Sequence, residues 1–343
     1  MTELKIDTQL RGYDLRTLAG MAGRLEEMGF DAAWTFEAAQ DPFLPLLVAA
    51  NATDRLEIGT NVAVAFARSP FATAQAAWDL QKASRGRFHL GLGTQVRAHV
   101  ERRFSMPFDH PAARVTDYIH CLRAIWDSFQ NGTKPDYQGP FYQYRLLNPF
   151  FDPGPIEHPE IPIYLAGVNP LMCKAAGEAA DGFHAHPMHT VGYLNDVVKP
   201  AIEEGARTRG KTIDDIVIQT MVWVVTGDDQ AARDKALEGV RREVAFYAST
   251  PNYRPVLEHL GFADLGKELS KMMRAGDLDA MPAKLPDAVL DQVAVVADKP
   301  ADAGRLLAER YRGVLHRVTP YKPVPEADPV EKWQAFTRAV KAG

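Results

Sequence analysis

Cysteine is nearly missing from this chain of 343 residues: Cys121 and Cys173 are the only two. That excludes a disulfide framework and a cysteine-built metal cluster, and it fits a reducing cytoplasm. Long apolar runs are missing as well. No stretch approaches the ~20 residues of a membrane span, and MTELKID has no charged-then-apolar signal pattern. Runs of Lys and Arg are absent and the net charge is -5, so nucleic acid is not an expected partner. Repeats and low-complexity tracts are also lacking. What remains is an ordinary folded chain. Hydrophobic residues make up 46%, enough for a sizeable core and too many for disorder.

The chain is organised around Leu56 to Thr94, LEIGTNVAVAFARSPFATAQAAWDLQKASRGRFHLGLGT. Two apolar runs, Leu56 to Phe66 and Phe88 to Leu92, lack polar alternation and read as strands buried on both faces. Between them Ser69-Pro70 opens a helix, with Ser as N-cap and Pro in the first turn. This is a βαβ unit, and its strand ends at Asn61 and Gly91 lie where α/β folds place chemistry. Similar units surround it. Leu4 to Leu10, Asp31 to Phe36, Ile161 to Ala166, Gly182 to Ala185, Ile216 to Thr226 and Val293 to Val296 read as further strands, nearly all followed by amphipathic helices. Eight such units predict an α/β fold: a single (β/α)8 TIM barrel over residues 1–343, with insertions after strands four and seven. The insertions fall at about 95–111, 132–160 and 251–286. The second should hold a hairpin turning near Gly139-Pro140, and the third should lie over the site. A doubly wound sheet is disfavoured, because G-x-G-x-x-G does not follow the first strand.

Several residues at strand ends could carry chemistry. Glu37 directly follows strand two, while Asp41 already serves to cap the next helix. Asn61, beside Val62, is a polar residue in an apolar strand and needs a partner, since an unpaired buried amide costs about 1–3 kcal/mol. Gly91 reads as a turn residue. Gly93 would let a flat ring approach, with Thr94 and the amide of Gln95 beside it. Ala166, Gly167, Val168 and Asn169 join a strand to a helix start that could hold a phosphate. His184, His186 and His189 follow strand six. H-x-H-x-x-H could bind zinc, but no cysteine or suitably spaced acid completes a site, so no metal is expected and a proton-handling ring is preferred. Cys173 is given no role, and a glycosidase reading fails because strand four offers Glu37 no partner acid.

Three stretches, LEEMGFDAAWTFE, RLEIGTNVAVAFARSPFATAQAAWDLQKASRGRFHLGLGT and IPIYLAGVNPLMCKAAGEAADGFHAHP, carry a resemblance that spans nearly the whole chain. It resembles the luciferase-like monooxygenase superfamily and, within it, the F420-dependent oxidoreductases. The resemblance implies a barrel with coenzyme F420, or alternatively FMN, across the C-terminal strand ends, and a non-prolyl cis peptide at Asn61-Val62. It implies a cofactor phosphate at Gly167-Val168. Relatives that oxidise a sugar phosphate carry His after the strand-two acid and a further acid after strand four. Here Ala38 and Val96 stand near those places, so that substrate is disfavoured. Catalytic roles then fall to Glu37 and His186. Cofactor contacts fall to Asn61, Val62, Gly93, Thr94, Gln95, Ala166, Gly167, Val168, Asn169 and His184. The expected function is an oxidoreductase moving hydride between F420 and a small organic substrate. The alternatives are a two-component FMN monooxygenase and a non-catalytic flavin-binding barrel. A cytoplasmic homo-oligomer is expected, with neither nucleic-acid nor membrane partners.

Overall fold

The computed structural model describes residues 3–343. Its main sheet is parallel and closes on itself. The wall runs from Thr8–Gln9 through Ala32–Thr35, Glu57–Thr60, Phe88–Gly93, Ile163–Gly167, Gly182–Ala185, Val217–Val225 and Arg317–Pro320 to Lys5–Ile6. The two ends of that path are halves of one strand, broken at Asp7. One half pairs with Ala33 and Trp34, the other with Arg317 and Val318. Eight strands therefore form a TIM barrel, with helices outside.

The helices start where the local chemistry tells them to. Ser69 is extended and its hydroxyl accepts from the Ala72 N–H at 3.2 Å, with Pro70 at the first helical position of Pro70–Ala83. Asn169 does the same for Pro170–Ala179, its side chain accepting from the Met172 N–H at 3.0 Å. The chief core lies between the wall and these helices. A second core, built on Trp223 and Val225, gathers Val244, Leu257, Leu269 and Leu290.

Strand eight corrects the sequence reading. Ala294–Val296, the apolar segment expected there, is outside the wall and pairs with Trp223–Val225 at the far end of strand seven. The wall position belongs to Arg317–Pro320, which pairs with strand seven on one side and Lys5–Ile6 on the other. A buried arginine hid this strand. Arg317 is bonded to Asp7 at 2.8 Å through two nitrogens and to Glu57 at 2.6 Å through the third, and Trp34 donates to Asp7 at 2.9 Å. The helix Val330–Ala342, not anticipated either, packs on Pro300–Tyr311 and on Leu18–Glu27.

The excursions have structure of their own. Residues 95–111 include a helix, Arg97–Arg102. Tyr137–Gln138 and Gln143–Tyr144 pair as an antiparallel hairpin around Gly139-Pro140. Arg254–His259 and Ala263–Ala275 pack on the second core. Among the described residues no helix is long and apolar enough to cross a membrane.

Candidate active site

A cavity of about 310 Å³ opens at the C-terminal ends of strands three to seven, at the small end of the range for ligand sites. It brings together Asn61, Val62, Gly93, Thr94, Gln95, Ala166, Gly167, Val168, Asn169, His184 and His186, all singled out in the sequence. Met221 of strand seven and Asn252-Tyr253 complete the wall. The Asn61-Val62 peptide is cis. The glycines of strand four are a matter of space. A Cβ on Gly93 would lie 2.6 Å from Val62, and one on Gly91 would lie 1.8 Å from the Thr60 carbonyl oxygen and 2.7 Å from His184 Nε2. Gly91, read from the sequence as a turn residue, is thus a mid-strand site of close approach.

Beneath the cavity lies a buried polar network that the sequence reading missed. Its centre is Gln219, fully buried on strand seven. The Gln219 Oε1 accepts from Asn61 Nδ2 at 3.1 Å and from His184 Nδ1 at 2.7 Å, while Nε2 donates to the Thr319 hydroxyl at 2.6 Å. An amide oxygen can only accept, so His184 carries its proton on Nδ1 and presents a bare Nε2. That Nε2 is buried without a partner. Burial pushes the His184 imidazole down to about 3, and its ring is stacked on Tyr164 at 4.8 Å. Asn61 was expected to need a partner; a side chain on the opposite wall supplies it.

His186 sits higher. Its Nδ1 accepts from the Met188 N–H at 3.1 Å, which leaves the proton on Nε2. The ring is stacked on Tyr253 at 4.3 Å and meets the edge of Tyr247 at 4.7 Å. Burial pushes it down to about 3, so the ring is neutral at physiological pH. His189 turns away: its Nδ1 donates to the His186 carbonyl at 3.0 Å and Tyr311 lies 3.2 Å from its Nε2. The three histidines therefore do not converge on a metal position.

Glu37 is not brought to this cavity. Its Oε2 accepts from the Val64 N–H at 2.8 Å and pairs with Arg68 at 2.6 Å. The carboxylate pins the turn after strand three. Arg254, next to the cavity residue Tyr253, bonds to Ser270 at 3.2 Å. Cys173 is buried, and burial pushes its thiol up to about 12.

The sequence pattern of the luciferase-like monooxygenases matches residues 2–317. This chain belongs to that family. An uncharacterized protein of Mycobacterium tuberculosis is 44% identical over 317 residues, 92% of this chain and 93% of its own. A putative coenzyme F420-dependent oxidoreductase of the same organism is 30% identical over 294 residues, 82% of this chain and 83% of its own. Among solved structures, the F420-dependent tetrahydromethanopterin reductase of Methanopyrus kandleri superposes with a TM-score of 0.76 at 21% identity, covering 99% of this chain and 98% of that one.

In this luciferase-like barrel the start of helix Pro170–Ala179 borders the cavity at Asn169. Pro170 has no N–H and the Met172 and Cys173 amides bond back to Asn169, which leaves the Leu171 N–H and the positive dipole end for an anion. Asn169→Asp keeps the acceptor for the Met172 N–H, so stability should hold. The added charge should weaken binding of a phosphate-bearing cofactor at least tenfold. Equal affinity in parent and variant, measured by fluorescence titration, would move the phosphate elsewhere.

Proposed function

We propose that this chain is an F420-dependent oxidoreductase acting on a small organic substrate. The observation that carries the reading is the pattern of likeness. Relatives that reach 30% identity include a putative coenzyme F420-dependent oxidoreductase and an F420-dependent glucose-6-phosphate dehydrogenase of Amycolatopsis mediterranei. Solved monooxygenases share the fold at 19% identity or less, and F420-dependent structures at 21% and 19%, so that likeness shows the fold alone.

The residues fit such a cofactor. Gly93 leaves a close surface beside Val62, Gln219 holds the His184 ring in the cavity floor, and Val168 and Asn169 lead to a helix start suited to phosphate. When bound, F420 supplies or accepts a hydride at its ring. The chain does the rest. Gln219 fixes Asn61 and His184 from below, Asn61, Val62, Gly93, Thr94 and Gln95 border the ring position, and Tyr253 and Met221 wall off the substrate side. His186 is the proton-handling or hydrogen-bonding group in reach. Glu37 serves as a brace for residues 64–68. Sugar phosphates are not favoured: Ala38 and Val96 stand at the places noted above, and Val96 borders the cavity with no acid beside it. Two buried free thiols suit a reducing cytoplasm, and the proposal includes a homo-oligomer.

Fluorescence titration with F420 and with FMN separates this reading from a flavin monooxygenase. F420 should bind at least tenfold more tightly. Tighter FMN binding, or oxygen uptake with reduced FMN, would overturn it.

A further inference from the structure

Among the described residues that border the cavity, none carries a formal charge: there is no Asp, Glu, Lys or Arg. The groups there that could titrate are His184, His186 and Tyr253. The first two are held neutral and the tyrosine is pushed further from ionising by burial. The nearest acid of the preceding strand ends, Glu37, is consumed by Arg68, and Arg68 is shared with Asp41 at 3.0 Å. A carboxylate or phosphate on the His186 and Tyr253 side, away from the helix start at Asn169, would find no cation to offset its lost hydration.

His186 brings a directed donor to the cavity. His186 spends Nδ1 on the Met188 N–H, so its proton lies on Nε2, which makes no hydrogen bond within the described chain and is not among its buried orphaned atoms. The Tyr253 and Tyr247 rings hold the imidazole on two sides, which fixes its direction without using either nitrogen. Around it stand Met221, Pro187 and Val62, which offer apolar surface.

We propose that the substrate subsite takes an uncharged, mainly apolar molecule whose carbonyl or hydroxyl oxygen accepts a hydrogen bond from His186 Nε2–H, and that it rejects carboxylates and phosphates. This rests on the F420 reading, with the cofactor along the Gly93 and Gly167 side and the substrate on the His186 and Tyr253 side. In this arrangement His186 is a fixed donor, not a shuttle that cycles through a charged form.

The test uses three ring compounds of similar size. Cyclohexanone has the acceptor, methylcyclohexane lacks it, and cyclohexanecarboxylate adds charge. Binding is measured by calorimetry and thermal shift on the protein as isolated and on protein loaded with F420. F420 affinity is determined first and separately. Cyclohexanone should bind at least tenfold more tightly than the carboxylate. His186→Phe keeps the aromatic stack and removes the donor. It should weaken cyclohexanone about tenfold, leave methylcyclohexane unchanged, and leave F420 affinity unchanged. Turnover of any ketone substrate should fall roughly 100-fold in the same variant, as when a fixed donor to a developing oxyanion is lost. Preference for the carboxylate, or equal cyclohexanone binding in parent and His186→Phe, overturns the proposal. Failure to bind F420 at all, with the ketone preference intact, would instead overturn the cofactor reading.

Discussion

Arg317→Met should destabilise the folded state by about 3–5 kcal/mol, because it strips the partner from buried acids. Asp7 is fully buried and Arg317 nearly so, and the guanidinium meets Asp7 through two nitrogens at 2.8 Å while reaching Glu57 with the third. Methionine fills similar length but offers no charge. Burial already pushes Asp7 above the usual carboxylate range, with Arg317 and the Trp34 N–H pulling it back. Without Arg317 it must rise further. A carboxyl with a raised folded pKa binds protons more tightly in the native state than in the unfolded chain, so the variant gains stability as pH falls. The parent behaves oppositely through Glu57. Burial opposes that charge, but the His89 hydrogen bond and the Arg317 and His89 charges hold it well below the usual range. Its contribution is complete above the ordinary carboxylate pKa and is lost as pH drops through the folded one. Urea unfolding at about pH 8 and pH 5 checks the variant's sign, and at about pH 5 and pH 3 the parent's. A deficit that is the same at the two pH values would mean that packing, not charge, was lost.

Gln219→Leu should lower F420 affinity at least tenfold. Leucine matches the volume but leaves Asn61 Nδ2, His184 Nδ1 and the Thr319 hydroxyl short of partners, each at about 1–3 kcal/mol if it stays unsatisfied. Freed from Gln219, His184 can adopt either tautomer and Asn61 can rotate away from the cavity floor. Gln219→Glu is the contrast. A carboxylate still accepts from both residues, and Thr319 can donate to it, so affinity should be largely kept. The Glu variant should acquire a pH dependence near neutrality, since a carboxylate at 2.7 Å favours the protonated His184 ring. Unchanged affinity in Gln219→Leu would show that the network merely fills the barrel.

The same two residues mark where the sequence ran out. Strands one to seven were legible because each is an apolar run ending at a polar or glycine residue. Strand eight was not, since Arg317 reads as surface and its partner Asp7 is 310 residues away. Only the closed barrel makes them neighbours. Ala294–Val296 looked like a better strand because it is one, yet it extends strand seven beyond the wall. The cavity border was legible from strand-end polarity and glycine. Gln219 was missed, although the argument made for Asn61 applies to it equally: a polar side chain inside a β-branched run must have a partner. Glu37 was drawn toward the site by its position after strand two. The competing partner, Arg68, could not be paired with it from spacing alone.

The split of strand one at Asp7 has a bearing on how the protein behaves at high concentration. Because the two halves pair with different neighbours, the wall presents no row of free amides and carbonyls to another molecule. Open sheet edges template self-association. Two short strands lie off the closed path, Ala63–Val64 and Ala294–Val296, and the second is three residues long. Asp298 and Lys299 follow, then Pro300, which opens the next helix and lacks an N–H to donate. Charge and proline at a short edge discourage a foreign strand from docking. The half-exposed Val296 therefore sits where a foreign strand could begin to dock on the barrel sheet, and the residues after it close that route.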